Sequence, residues 1–191
     1  MNQTNKTLSL YHKLEKYPLG KKLFSMMVSR VAPYFATINP KISSLVPNQC
    51  TCLIKKRKKV FNHIKTVHVI AICNGLEMAM GVMAEASVPK HLRWIPKGMT
   101  VDYTAKAASD IRCVATVNAD YWRPGDMLVN ITAYDDNDVI VVKGYIKLWI
   151  SEKPKVLTIK AIYNRNVYFY VSFEVNLLSD KSLCTIILLA V

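Results

Sequence analysis

At 191 residues, with 51% apolar and 20% charged side chains, the chain is long enough for one well-buried core and too apolar for wholesale disorder. Its 26 Lys and Arg against 13 Asp and Glu give a formal charge of +13, which favours polyanions (nucleic acid, an anionic membrane, a phosphorylated cofactor) without choosing among them. Five cysteines (Cys50, Cys52, Cys73, Cys113 and Cys184) keep no zinc-ribbon spacing and four histidines add no ligand cluster, so no metal is expected and the thiols read as reduced.

The polar start, Met1 to Thr7, lacks the basic-then-apolar order of a signal peptide, and the C-terminal apolar run Ile186 to Val191 is far shorter than the roughly 20 residues of a membrane span. A soluble cytoplasmic protein without a membrane span is expected. Leu8 to Phe35 has helical character, with Leu23, Phe24, Met27, Val28 and Val31 at three- and four-residue spacing and breaks at Pro18 and Pro33, and it is expected to cover one edge of the core. Lys41 to Val60 reads as a strand pair turning at Pro47-Asn48, with Cys50 to Lys56 as its second arm and the run Lys55 to Lys59 as a solvated strand end.

Thr66 to Ser87 is the one long helix, and its apolar residues are spread around the whole circumference, so it should be buried on most sides. After Pro89 the period changes to two. Met99, Val101, Tyr103 and Ala105 are expected to share one face, as are Ile111, Cys113, Ala115 and Val117. Pro124-Gly125-Asp126 turns into a strand over Met127 to Ala133, and Asp135 to Asp138 forms a hairpin loop. The strand after it, Val139 to Ile150, should turn Ile140, Val142, Ile146, Leu148 and Ile150 to one side. Tyr121, Trp122, Tyr145 and Trp149 could line a tunnel or fill the core, and the core is the reading preferred. The fold class is α+β: a single hotdog domain, an antiparallel sheet wrapped around one long central helix, with an N-terminal helical lead-in. The divisions expected are an extension over 1–36, the hotdog domain over 37–153, and a tail over 154–191 whose role the sequence does not explain.

Glu77 is the residue that asks for a reason, because it sits among Leu76, Met78, Ala79 and Met80, where a carboxylate taken out of water costs several kcal/mol unless paired. A structural explanation, a buried Glu bonded to neighbouring backbone, stands beside a functional one. Asn74 precedes it by three residues, on the same face. Asn62, His63 and His68 gather in the turn feeding the helix, whose first-turn N–H groups could bind an oxyanion. Asn62 also reads as a turn former, and His68 as a first-turn residue bonded to local backbone.

Asn62, His68 six residues on, Glu77 nine further and then Gly81 together resemble the loop-and-helix signature of the PaaI-type hotdog thioesterases, N-x5-H-G-G-x6-D/E-x3-G. The stretch resembles still more closely their relatives known as domain of unknown function 4442, which read roughly N-H-x4-H-x5-N-x2-E. The similarity continues through Tyr103 and Pro124-Gly125-Asp126 and covers about Lys41 to Lys153. It implies hydrolysis of an acyl thioester such as acyl-CoA, with no cofactor, in which Glu77 activates water or attacks the carbonyl. Asn62 would place the water or the thioester, the Val69 N–H would hold the oxyanion, and His68 would shape the loop or bond the thioester oxygen. His63, Asn74, Gly81, Lys97 and Tyr103 would line the substrate.

Where the family carries Gly-Gly this chain has Val69-Ile70, and the family's neighbouring-strand hydroxyl is matched no more closely than by Thr100, near Pro96 and Lys97. The resemblance further implies a homo-oligomer, a dimer or a tetramer, with each site built from two subunits. Some of the cations among Lys55 to Lys59, Lys90, Arg93 and Lys97 would then meet CoA phosphates. Two alternatives stay open: a non-catalytic acyl or acyl-CoA binder, and a hotdog hydroxyacyl dehydratase, since His63 and Glu77 are 14 apart as in that family's His/Glu pair. Nucleic-acid binding rests on net charge alone, with no accompanying motif, and is not expected.

Overall fold

Asn5 opens the first helix, α1 (Lys6–Leu14), its side-chain oxygen accepting from the N–H groups of Thr7 and Leu8. A second helix, α2 (Gly20–Val31), follows the break at Pro18, and a 3-10 segment, Pro33–Ile38, begins at the second proline. The computed structural model describes residues 5–163, 167–175 and 186–189. Tyr11 of α1 and Phe24 of α2 meet edge to face at 5.2 Å and are both buried.

The inward face of α2 is centred on Phe24, Ser25 and Val28, which differs from the expected stripe. Leu23 and Met27 lie largely exposed at its flank, and Val31 is 88% exposed at the helix end. Ser25 sets this rotation. Its buried hydroxyl donates to Lys21 O and accepts the N–H of Ile42, which fastens the lead-in to the first strand. Ser25→Ala leaves that N–H buried without a partner, so a loss of about 1–3 kcal/mol in urea unfolding is expected; a loss within error would show that water takes the hydroxyl's place.

The strands are β1 (Lys41–Val46), β2 (Gln49–Ile54), β3 (Leu92–Tyr103), β4 (Ile111–Thr116), β5 (Gly125–Tyr134) and β6 (Ile140–Glu152). They form one six-stranded antiparallel sheet in the order β1-β2-β4-β5-β6-β3. The central helix α3 (Val69–Ser87) lies against β1, β2, β4 and β5, which is the expected hotdog arrangement. Gly75 permits its closest approach: a Cβ there would meet the Ile54 side chain and stand 3.0 Å from Cys113 Sγ. By length and composition α3 could cross a membrane, yet 61% of its apolar window is buried inside the fold.

α3 begins at Val69 rather than Thr66 because the three residues before it are held extended. Val67 bridges to Phe61 and donates to Ala107 O, while the N–H of His68 donates to Val60 O. In β6 the pairing slips between Ala133 and Tyr134, so that Val141 is an extra residue. Val141 and Val142 are both buried as a result, and Ile140, expected inside, is 40% exposed. Tyr145 and Trp149 stand on the outer face of β6 and Tyr121 is 52% exposed, so these three leave the core reading; Trp122 stays packed against the core. In β3, Met99 and Val101 pack inward as expected, but Tyr103 at the strand end turns outward.

The chain divides into two units, one reaching Ser151 and a second starting at Glu152. In the second, β7 (Lys155–Tyr163), β8 (Val167–Val175) and β9 (Ile186–Leu189) form an antiparallel sheet in that order. Three strands thus occupy the stretch that the sequence left as an unexplained tail. Cys184 lies outside the described residues.

Candidate functional site

The loop feeding α3 is shaped by Asn62. Its Oδ1 accepts from the N–H groups of Ile64 and Thr66, and its Nδ2 donates to Thr66 Oγ1 at 2.7 Å. Lys65 occupies the left-handed region at φ 60° to complete the turn. His68 is the N-cap of α3, its Nδ1 accepting the N–H of Ile70 at 3.1 Å, which puts the proton of the neutral ring on Nε2. The N–H of Ala71 donates to His68 O. Val69, half-buried, is left with an N–H that has no hydrogen-bond partner among the described residues.

Asn62, His63, His68, Val69 and Tyr103 line one cavity of about 310 Å³ beneath this loop, together with Thr66 and Lys106. Sequence reasoning missed Thr66 and Lys106. Thr66 could have been found from its place four residues after Asn62, whereas Lys106 carries no local signal.

Glu77 stands elsewhere and is not buried: it is solvent-exposed, and no hydrogen bond or ion pair engages it among the described residues. The sheet covers most of α3 but leaves a stripe uncovered, running through Ile70, Cys73, Glu77, Gly81 and Glu85 at spacings of three and four. Glu77 and Gly81 line a second cavity of about 370 Å³, between α3 and the lead-in, with Trp94 and Pro96 of β3 on another side. Glu85, also on its wall, accepts from Trp94 Nε1 at 3.1 Å. Glu85, Trp94 and Phe35 were not anticipated, although two glutamates eight apart on an apolar helix mark a shared face.

Asn74 does not share that face. It is buried, with Nδ2 donating to Tyr34 O and Thr37 Oγ1, and it ties α3 to the 3-10 segment instead of facing either cavity. Its Oδ1 is buried with no partner among the described residues. Lys97 pairs with Asp126 at 3.0 Å and lies over the Trp149 ring. Lys147 and Lys97 together hold the Asp126 carboxyl below its usual range. Among the loop cations, Lys55 pairs with Asp110, Lys56 donates to Ala108 O and Arg57 to Thr37 O.

Burial pushes the Cys52 thiol up to about 12 and those of Cys50 and Cys113 well above their ordinary value, so these three are poor nucleophiles. Cys73 is also raised, by partial burial and then by the Glu77 charge one turn away. No group of three metal-ligating side chains occurs among the described residues.

A family model described as "Domain of unknown function (DUF4442)" matches residues 20–150. A structural-genomics crystal structure shares 40% identity, covering 77% of this chain and 98% of its own at a TM-score of 0.68. A Pseudomonas aeruginosa protein of unknown function, named a probable thioesterase, is similar in fold at 16% identity and a TM-score of 0.63, covering 72% of this chain and 97% of its own. A thioesterase family protein from Silicibacter pomeroyi aligns at 14% identity and a TM-score of 0.58, covering 71% and 100%. No curated protein sequence matches the chain.

Proposed function

Because the chain belongs to the DUF4442 family, within the hotdog thioesterase superfamily, we propose that it hydrolyses an acyl thioester, with acyl-CoA as substrate. The observation that carries this reading is the free N–H of Val69 at the start of α3, in one cavity with His68 and Asn62. These donors suit the oxygen of a thioester carbonyl as it becomes an oxyanion. Glu77 takes a proton from water as the hydroxide adds to the carbonyl carbon; collapse of the tetrahedral intermediate breaks the C–S bond, and Glu77 returns the proton to the sulfur, so CoA leaves as the thiol. Asn62, with Oδ1 and one Nδ2 hydrogen committed to the loop, keeps one N–H for the thioester or the water.

Glu77 lies eight residues beyond Val69, about 12 Å along the helix, and opens into a different cavity, so one chain's loop and its own Glu77 cannot reach one carbonyl. A homodimer, or a tetramer made of two, resolves this by bringing Glu77 of one subunit to the loop of another. β3 is the edge through which the subunits join, since it is the outermost strand and carries exposed Ile95, whereas the other edge, β1, is covered by α2. Lys58 and Lys59, exposed and without partners among the described residues, are the members of the basic run left to meet CoA phosphates. In this reading the catalytic fold spans 37–153, with 1–36 and 154–191 as additions to it, and the protein works in the cytoplasm.

The test is thiol release from a panel of short, medium, long and aryl acyl-CoAs. Turnover with at least one is expected. Tight binding without release from any would favour the non-catalytic acyl binder, a reading that fits Val69-Ile70 standing where the resembled family carries Gly-Gly.

A further inference from the structure

The cleft that holds Glu77 is far more apolar than a carboxylate site needs to be. Val28, Ala32 and Phe35 of the lead-in form one wall, and Gly81 and Met80 of α3 and Trp94 of β3 form the rest. Polar groups on its walls are few, chiefly the carboxylates of Glu77 and Glu85. These stand two turns apart, about 12 Å, on one face of α3. Glu85 is held by Trp94 and Glu77 is free. Midway between them Gly81 presents no side chain; a Cβ there would stand 3.6 Å from the Trp94 ring, so the glycine keeps the groove open to the indole.

Water filling such a groove would lack hydrogen-bond partners over most of its length, whereas an alkyl chain would lose nothing by entering. The cavity of about 370 Å³ is of the size that takes a medium-length alkyl chain.

We propose that this cleft is the acyl-chain site, with the thioester carbonyl at Glu77 and the methyl end toward Glu85, and that Val28, Ala32 and Phe35 of the lead-in set the chain length accepted. The assignment rests on the thioesterase reading of Glu77. It makes the N-terminal helices a specificity element, and the substrate class a medium-chain acyl thioester.

The test measures binding of non-hydrolysable alkyl-CoA thioethers by calorimetry, so that it does not depend on turnover. The wild-type protein is expected to bind the dodecyl thioether more tightly than the butyl one, by about fourfold per methylene seated. Ala32→Phe fills the groove and is expected to cut that dodecyl-over-butyl preference about thirtyfold. Phe35→Ala lengthens the groove and is expected to move the preferred chain upward. Thermal midpoints recorded beside each titration identify a misfolded variant, and the two substitutions push in opposite directions, so a general loss of structure cannot imitate both. An unchanged dodecyl preference in folded Ala32→Phe protein would overturn the assignment. The parent reading fails in a separate way, by absence of thiol release from acyl-CoA while the thioethers still bind.

Discussion

Replacing Glu77 with alanine is expected to lower kcat/KM for acyl-CoA hydrolysis by about 10²- to 10⁴-fold, the contribution of a positioned general base. That corresponds to about 3–5 kcal/mol of transition-state stabilisation. Folding stability should hardly move, because the carboxylate is exposed and has no hydrogen-bond or ion-pair partner among the described residues. Activity that survives the substitution would remove Glu77 from the mechanism. The proposed two-subunit site allows a sharper form of the experiment. If Glu77→Ala protein is dissociated and reassociated with an equal amount of His68→Ala protein, half of the dimers carry one intact loop opposite one intact Glu77, so about a quarter of the wild-type activity should return. No recovery, with exchange verified by mass, would place the loop and the carboxylate on independent paths.

The second large effect concerns stability. A Cβ at Gly144 would run into the Thr100 carbonyl oxygen and stand 2.9 Å from the Val101 Cα, both backbone atoms of the neighbouring strand. Backbone cannot swing aside as a long side chain can, so Gly144→Ala is expected to push β3 away from β6 and to cost about 1–3 kcal/mol in urea unfolding. Gly98→Ala, on β3 itself, has nothing within 4 Å and serves as the neutral control. Because β3 is the edge proposed to join the subunits, gel filtration of the Gly144 variant is also expected to show weaker self-association than the control. A variant as stable and as dimeric as the control would mean that the sheet accommodates the methyl by sliding.

Much of this fold was legible because it depends on periodicity. The alternation in Ile111, Cys113 and Ala115 survives intact as the buried face of β4, and the density of apolar residues after Val67 marks the helix the sheet wraps. What escaped are places where a period is broken or a helix has more than one kind of neighbour. The extra residue Val141 resets the phase of β6, so alternation assigned Ile140 to the wrong side. α3 is apolar all round, which suggested a buried Glu77, yet one stripe is left to the cavity beside the lead-in, and Glu77 belongs to that stripe. Asn62, His63, His68 and Val69 were readable as a group because they are close in sequence. Glu77 was readable as unusual, but its separation from that group follows from helix rise and from which elements cover α3, neither of which a residue pattern states.

The contacts of the lead-in bear on how the protein is made. Asn5, the cap of α1, donates through Nδ2 to the carbonyl of Glu85, eighty residues downstream, and Ser25 waits for Ile42. At about 5–20 residues per second, the ribosome needs on the order of 4–16 seconds to deliver Glu85 after Asn5 has been joined. Until then the helices bearing Tyr11 and Phe24 have each other and the early strand β1, but not α3. The nascent chain therefore exposes its N-terminal apolar surface for longest, and the emerging protein is most open to chaperone capture, or to aggregation, before α3 clears the exit tunnel.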